Sequence, residues 1–215
     1  MTLKINEIFY SIQGESSYAG WPCIFIRLSG CNLRCSYCDT RYAYDPGDDM
    51  EIKDLLERIS AYNCRLVEVT GGEPLLQKGT SALVHQLLYK GYNVLLETNG
   101  SMDIGAVDER CIRIVDIKCP SSGEKDSNDL KNLKRLGKKD ELKFVIADRN
   151  DYEYAKEVLD LSLADSPKSV IAHFSPCYGK ITLKELSQWI LEDSLNVRLH
   201  IQLHKFIWGP YEKSV

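Results

Sequence analysis

From residue 22 onward, short apolar and β-branched runs alternate with segments whose apolar residues recur at helical spacing. The runs "CIFIRLS", "RLVEVT", "YNVLLET", "IRIVDIK", "ELKFVIA", "SVIAHF" and "RLHIQLH" read as strands. Between them, "EIKDLLERIS" places Ile52, Leu55, Leu56 and Ile59 on one helical face, and "SALVHQLLYKG" does the same with Leu83, Leu87 and Leu88 before the stop signal of Gly91. Further helices are expected near 127–137, 150–162 and 182–192. Such alternation predicts an α/β fold on a mostly parallel sheet. Six or seven strands with fewer clear helices fall short of a closed eightfold barrel, which needs roughly 250 residues, so an incomplete, partial TIM-like β/α barrel is expected. No linker or low-complexity segment interrupts the pattern, and one domain over residues 1–215 is expected.

A barrel-like fold gathers its chemistry at the C-terminal ends of the strands. Here "CIFIRLS" runs into a cysteine loop, "RLVEVT" into "GGEP", "YNVLLET" into "NG", "IRIVDIK" into "CPSSG" and "SVIAHF" into "SPCYG". Gly, Pro and small polar residues at these ends suit a close approach of backbone to ligand, so the ends are expected to face one site.

Composition narrows the function classes. Hydrophobic residues make up 44% and charged residues 27%, and no run of 18 apolar residues occurs, which argues against disorder and against a membrane span. The start "MTLKINEIFYSIQGE" carries Lys4 and Glu7 and lacks a signal-peptide core, so a cytoplasmic location is expected. In a reducing compartment, clustered cysteines more often bind metal or do redox chemistry than form disulfides. A net charge of -4 disfavours nucleic acid or an anionic membrane as partner, and the basic run "KNLKRLGKK" at 131–139 reads as a solvated helix face.

Three of the eight cysteines, Cys31, Cys35 and Cys38, crowd into "GCNLRCSYCD". Their i, i+4, i+7 spacing would suit a buried helical stripe, but Gly30, Asn32 and the preceding strand favour a loop. Structural zinc wants four ligands, and Cys23, Cys64, Cys111, Cys119 and Cys177 are scattered, so the fourth would have to come from afar. An iron-sulfur cluster fits better: three thiolates hold three irons of a 4Fe-4S unit and leave the fourth open to bind and activate something.

The stretch Cys31-Asn-Leu-Arg-Cys35-Ser-Tyr-Cys38 resembles the Cys-x3-Cys-x-aromatic-Cys signature of radical S-adenosylmethionine enzymes. The resemblance implies an open iron that chelates S-adenosylmethionine, and its reductive cleavage to methionine and a 5'-deoxyadenosyl radical. It implies a partial barrel of the radical S-adenosylmethionine type. "TGGEP" at Thr70 to Pro74 is similar to that family's glycine-rich strand end, where Gly72 and Glu73 would serve the methionine ammonium. A narrower likeness covers nearly the whole chain: "EIFYSIQGE", "WPCIFIRLSGCNLRCSYCDT", "TGGEP", "ETNG", "DIKCPSSG" and "QLHKFIWG" resemble the 7-carboxy-7-deazaguanine synthase family. That family contracts the ring of 6-carboxy-5,6,7,8-tetrahydropterin with loss of ammonia on the route to queuosine and other deazapurines. The likeness implies a carbon-nitrogen lyase with a 4Fe-4S cluster, S-adenosylmethionine and magnesium. It also implies a homodimer and an electron donor such as flavodoxin or ferredoxin.

By the same resemblance, substrate contacts fall on Ile12, Gln13, Gly14, Glu15, Arg27, Thr70, His204 and Pro210. Polar groups of Gln13 and Glu15 suit the donors and acceptors of an aminopyrimidinone edge. Arg27 would clamp the substrate carboxylate, although strand alternation alone leaves it on either face of the sheet. Cofactor contacts fall on Tyr37, Cys38, Asp39, Gly72, Glu73, Asn99, Lys118, Cys119, Pro120 and the "HFSP" turn of His173, Phe174, Ser175 and Pro176. Thr40 corresponds to the magnesium position, its alternative being a cap for the next segment. Two departures stand out: Ser16 replaces a glycine common after "QGE", and the chain continues through "YEKSV" past Pro210. A glycyl-radical activating enzyme and a non-catalytic zinc or iron-sulfur sensor are the competing readings.

Overall fold

The computed structural model describes residues 1–165 and 170–215, the side chains of 164 and 165 excepted. Among the described residues, fifteen helices and strands follow one another: β1 (Thr2–Ile12), β2 (Pro22–Leu28), β3 (Asp48–Glu51), α1 (Ile52–Ser60), β4 (Leu66–Gly71), α2 (Thr80–Tyr89), β5 (Asn93–Thr98), β6 (Ile112–Ile117), α3 (Asn132–Arg135), β7 (Glu141–Ile146), α4 (Arg149–Asp165), β8 (Ile171–Pro176), α5 (Leu183–Glu192), β9 (Arg198–Leu199) and α6 (Leu203–Ile207). The strands form one nine-stranded sheet in the order β3-β1-β2-β4-β5-β6-β7-β8-β9. From β2 to β9 every pairing is parallel, while β1 pairs antiparallel with β2 and β3. With β3 and β9 at its two edges the sheet stays open, as a partial barrel does.

Alternation along each strand sorts side chains between two environments. Ile24, Ile26, Val67, Val69, Val94 and Leu96 face the helix layer, where they meet Ile52, Leu55, Leu56 and Ile59 of α1 and Leu83, Val84 and Leu87 of α2. Leu142, Phe144, Phe174, Tyr152 and Leu186 build the corresponding core over the second half of the sheet. Each such side chain, removed wholly from water, is worth roughly 1.5–3 kcal/mol. The concave face is different. At its base Phe9, Cys23, Phe25, Leu66, Leu95 and Ile114 make a small apolar floor, with Phe9 stacked on Phe25 at 4.8 Å. One step further along the same faces stand charged side chains, and these open into the site.

The sheet extends beyond the expected alternation, which starts at residue 22: β1 and β3 are strands and continue it past β2. Three expectations need correction. The helix expected over 127–137 shrinks to α3 and a one-turn 3-10 segment at Lys125–Ser127. Its physical cause is Asn132, whose fully buried amide donates to Gly100 O and Met102 O and accepts from Ile104 N, tying the chain to a neighbouring loop. The basic run there is not wholly solvated either, since Arg135 pairs with Asp129 and Asp103. Finally, only Arg198–Leu199 of "RLHIQLH" pairs as a strand; after His200 N bonds Phe174 O the chain turns inward, Leu203 N bonds Gly14 O, and α6 begins. The first residue of the expected strand "SVIAHF", Ser169, lies outside the described residues.

Candidate active site

The C-terminal ends of β2, β4, β5, β6 and β7 open into one cavity of about 870 Å³, a volume typical of small-molecule sites. Cys31, Cys35 and Cys38 line it together, all three half-buried and free. Gly30 turns the chain out of β2 at φ +90°, and its amide bonds Ala43 O. The loop is then pinned to the neighbouring strand ends. Ser36 bonds Ser122 O and Ser121 O, Arg34 N bonds Glu124, Asn32 bonds Ser101, and Asn99 Nδ2 bonds Asn32 Oδ1. Arg34 also returns to the carbonyls of Cys31 and Leu33 and lies over the Tyr44 ring at 4.3 Å.

Burial raises the thiol pKa values of Cys31 and Cys35, and the nearby Lys118 ammonium opposes this only in part. Among the described residues, no three His, Cys, Asp or Glu side chains close around a single metal ion. A cluster makes a different demand, because each thiolate ligates its own iron. Three soft donors in one pinned loop beside a buried cation fit a 4Fe-4S unit with one iron left for a non-protein ligand.

The glycine-rich end of β4 is built by contact. Gly71 takes φ +152°, and an added Cβ on Gly72 would sit 2.6 Å from Gly30 C and 2.7 Å from Cys31 Cβ. Gly72→Ala is therefore expected to push the cysteine loop outward and to lower iron content after reconstitution, measured as iron per chain. Glu73 is fully buried and braces this turn, accepting from Leu75 N, Thr98 Oγ1 and Asn99 N. It does not line the cavity, whereas Gly72, Thr70 and Asn99 do.

The cavity floor carries an ion network. Lys143 pairs with Glu15 and Glu97 and lies 4.0 Å from Asp116, which in turn pairs with Lys118 at 2.9 Å. Asp116 Oδ1 is buried with no hydrogen-bond partner among the described residues. Glu15 accepts also from Gln202 at 2.7 Å. Desolvation alone would raise its pKa, yet Lys143 and His204 hold it well below the usual carboxylate range. Glu68 goes the other way: burial, reinforced by the charges of Glu97 and Glu15, pushes its pKa well above the ordinary value. Burial holds His204 below the ordinary imidazole value. Glu68, Glu97, Asp116 and Lys143 escaped sequence reasoning. Their signal was a charge flanked by apolar residues within each strand, at "VEV", "LET", "VDI" and "LKF".

Ile12, Gln13, Gly14 and Glu15 all line the cavity, but Gln13 is committed within the chain. Its amide donates to Glu68 and accepts from Glu15 N, and its backbone pairs with Gly20 and Trp21. Gly14 leaves room for His204, whose Cγ would lie 2.9 Å from an added Cβ. Arg27 faces the concave side, settling the alternation in favour of the interior, with its Nε on Glu7 at 2.6 Å. Tyr37, Asp39, Thr40, Lys118 and Pro210 also line the cavity, as do residues 211–215. Thr40 Oγ1 donates to Asp39 Oδ1 at 3.0 Å, and Lys205 holds Asp39 Oδ2 at 2.9 Å.

Six further positions lie elsewhere. Cys119 is fully buried in the helix-side core, and Pro120 starts a 3-10 turn. The segment expected as a turn at His173 to Pro176 forms the last four of the six residues of strand β8, and none of the four lines the cavity. His173 pairs with Glu141 at 2.8 Å, while Phe174 packs against Phe144 and Tyr152.

The model of the radical S-adenosylmethionine superfamily matches residues 25–121. A protein of Chlorobaculum tepidum named 7-carboxy-7-deazaguanine synthase is 45% identical, the match covering 99% of this chain and 97% of that one. A protein of Koribacter versatilis with the same name is 43% identical over 99% of this chain and 100% of its own. Among solved structures, QueE from Escherichia coli superposes with a TM-score of 0.76 at 24% identity, covering 92% of this chain and 93% of that one, which establishes the likeness of fold.

Proposed function

This chain belongs to the 7-carboxy-7-deazaguanine synthase family within the radical S-adenosylmethionine superfamily, and from that premise we propose that it contracts the ring of 6-carboxy-5,6,7,8-tetrahydropterin to 7-carboxy-7-deazaguanine with release of ammonia. The observation that carries this reading is the convergence of the cysteine loop and the Ile12–Glu15 turn on one cavity. When bound, the cluster and S-adenosylmethionine supply abstraction of a substrate hydrogen atom. The chain's own part is placement. Cys31, Cys35 and Cys38 hold the cluster, and Gly72, Asn99, Tyr37 and Lys118 border the space beside it. Within the same cavity Glu15, Glu68 and Glu97 offer acceptors for the amino and ring N–H groups of a pterin, while Arg27, His204 and Lys205 offer charge and hydrogen bonds for its carboxylate. The glycyl-radical activase and the sensor are not favoured, because full-length relatives carry the synthase name.

In this reading the enzyme is a carbon-nitrogen lyase that works as a homodimer in the cytoplasm, takes electrons from a flavodoxin- or ferredoxin-like donor and binds neither nucleic acid nor membrane. No helix among the described residues is long and apolar enough to cross a membrane. The residues 1–215 form one domain. The Thr40 hydroxyl, with the Asp39 carboxylate beside it as a second hard oxygen, would hold a magnesium ion. Thr40→Ala is expected to retain the cluster's brown colour and to raise the magnesium concentration needed for half-maximal turnover, measured by a magnesium titration. Anaerobic incubation of the reduced, iron-loaded protein with the carboxytetrahydropterin tests the function itself. Formation of ammonia and the deazaguanine supports it, and absence of both sinks it.

A further inference from the structure

Arg27 reaches the cavity with only part of its guanidinium engaged. Nε donates to Glu7 Oε1 at 2.6 Å, and among the described residues no hydrogen bond uses Nη1 or Nη2. Phe9 and Tyr42 flank the guanidinium, with ring centroids 5.9 and 5.8 Å from Cζ. A guanidinium held at Nε between two rings keeps its outer fork free for a planar anion.

How Glu7 comes to stand there is a matter of register. Ile5 pairs with Leu28, and the next pair is Glu7 with Arg27, so one extra residue is inserted at Asn6. Such a bulge inverts the phase of a strand and re-aims its side chains. Before it Leu3 and Ile5 pack on the helix layer, and after it Ile8 does, while Phe9 joins the concave floor. The inversion therefore brings Glu7 onto the concave face opposite Arg27. Glu7 is further fixed by Tyr42 OH on Oε1 at 3.0 Å and by Ser214 Oγ on Oε2 at 2.5 Å. Asn6 itself donates to Tyr42 O. Glu7 does not line the cavity, so it acts on a ligand only through Arg27.

We propose that Glu7 is a positioning residue: delivered by the β1 bulge, it aims the free fork of Arg27 so that the enzyme selects a substrate bearing a carboxylate. The proposal rests on the substrate reading given under Proposed function. Its rival is that Glu7 merely balances a buried charge. The two differ in what geometry and charge each contribute. Gln at position 7 keeps the acceptor for Nε without the charge, and Asp keeps the charge but withdraws the acceptor by one methylene.

The test is a fluorescence titration of anaerobic holoenzyme with S-adenosylmethionine and no reductant, using 6-carboxypterin and, separately, pterin without the carboxylate. Wild type should prefer 6-carboxypterin by roughly 10- to 100-fold, the worth of charge-assisted hydrogen bonds. Glu7→Gln should keep that preference and Glu7→Asp should lose most of it, with pterin affinity unchanged in both as the control for folding. Retention by both variants, or loss in Glu7→Gln, overturns the positioning role. A wild type without any preference overturns the substrate reading itself, and the proposal with it.

Discussion

Cys35→Ala is expected to give a folded, colourless protein that neither retains iron after anaerobic reconstitution nor cleaves S-adenosylmethionine. Two thiolates cannot replace three, because each ligates a different iron. The expected loss of turnover exceeds the roughly 10- to 100-fold that follows loss of an outer-shell partner alone. Folding should survive, since the loop is held by bonds that do not use the thiol: Ser36 to Ser121 and Ser122, Arg34 to Glu124, Asn32 to Ser101. Iron per chain, visible absorbance and thermal unfolding of the variant check the three parts. A brown variant that still cleaves S-adenosylmethionine would remove Cys35 from the cluster.

Lys143→Met carries the second large effect, and it falls on stability. The ammonium is the cation shared by Glu15 and Glu97, with Asp116 close by, and its side chain is 10% exposed. Methionine matches its length but leaves those carboxylates uncompensated in the barrel interior. Breaking a buried pair by removing one partner costs about 3–5 kcal/mol. In a chain of this size that corresponds to a fall in Tm of roughly 6–20 °C.

The pH dependence has a definite sign. In the wild type Glu15 has a depressed pKa, so its contribution is present above the unfolded carboxylate value and is lost as pH falls. In the variant the same carboxyl has lost its cation, its folded pKa rises, and the penalty grows with pH instead. The deficit in Tm should therefore be largest at neutral pH and should narrow toward about pH 4, near the unfolded carboxylate values. Adding Glu15→Gln to Lys143→Met should recover part of the loss, because the two positions are in contact and non-additive. Melting curves of wild type, Lys143→Met, Glu15→Gln and the double variant from pH 4 to 8 check this. Equal deficits at every pH would mean that the network contributes packing and not charge.

Much of the fold was legible because burial imposes a period on the chain. Helix α1 shows it plainly: Ile52, Leu55, Leu56 and Ile59, spaced for one helical face, are all buried against the sheet. The parallel strands from β2 to β8 were legible for the same reason. What was missed lies where another force overrides the period. In β1 a bulge inverts the phase, so the alternation of "TLKINEIFYSI" never reads as one strand. Around Asn132 a buried amide ties the chain to the carbonyls of Gly100 and Met102 in a distant loop, an anchor that local spacing does not carry. In "RLHIQLH" the chain leaves the sheet because Leu203 and Gln202 close over Gly14 and Glu15.

The site divides along the same line. Cys31, Cys35 and Cys38 were readable by themselves, because their chemistry depends on residue type and spacing over a few positions, whereas the "TGGEP" turn and the "SIQGE" segment were assigned through the family resemblance. Thus the sequence alone determined that three thiols stand at a strand end, that the strands are mostly parallel and that glycines open the next strand end to a ligand. Only the tertiary structure decided which charges meet. Lys143 and Glu15 are far apart in the chain, and Glu7 faces Arg27 only because one extra residue turns the strand. Such pairings depend on register and on which face a side chain takes, and a local pattern carries neither. It also withdrew Gln13 and Glu73 into hydrogen bonds within the protein, and His173 and Phe174 from the cavity wall. A buried polar group must find a partner somewhere, and whether that partner is a ligand or another part of the chain is settled by packing.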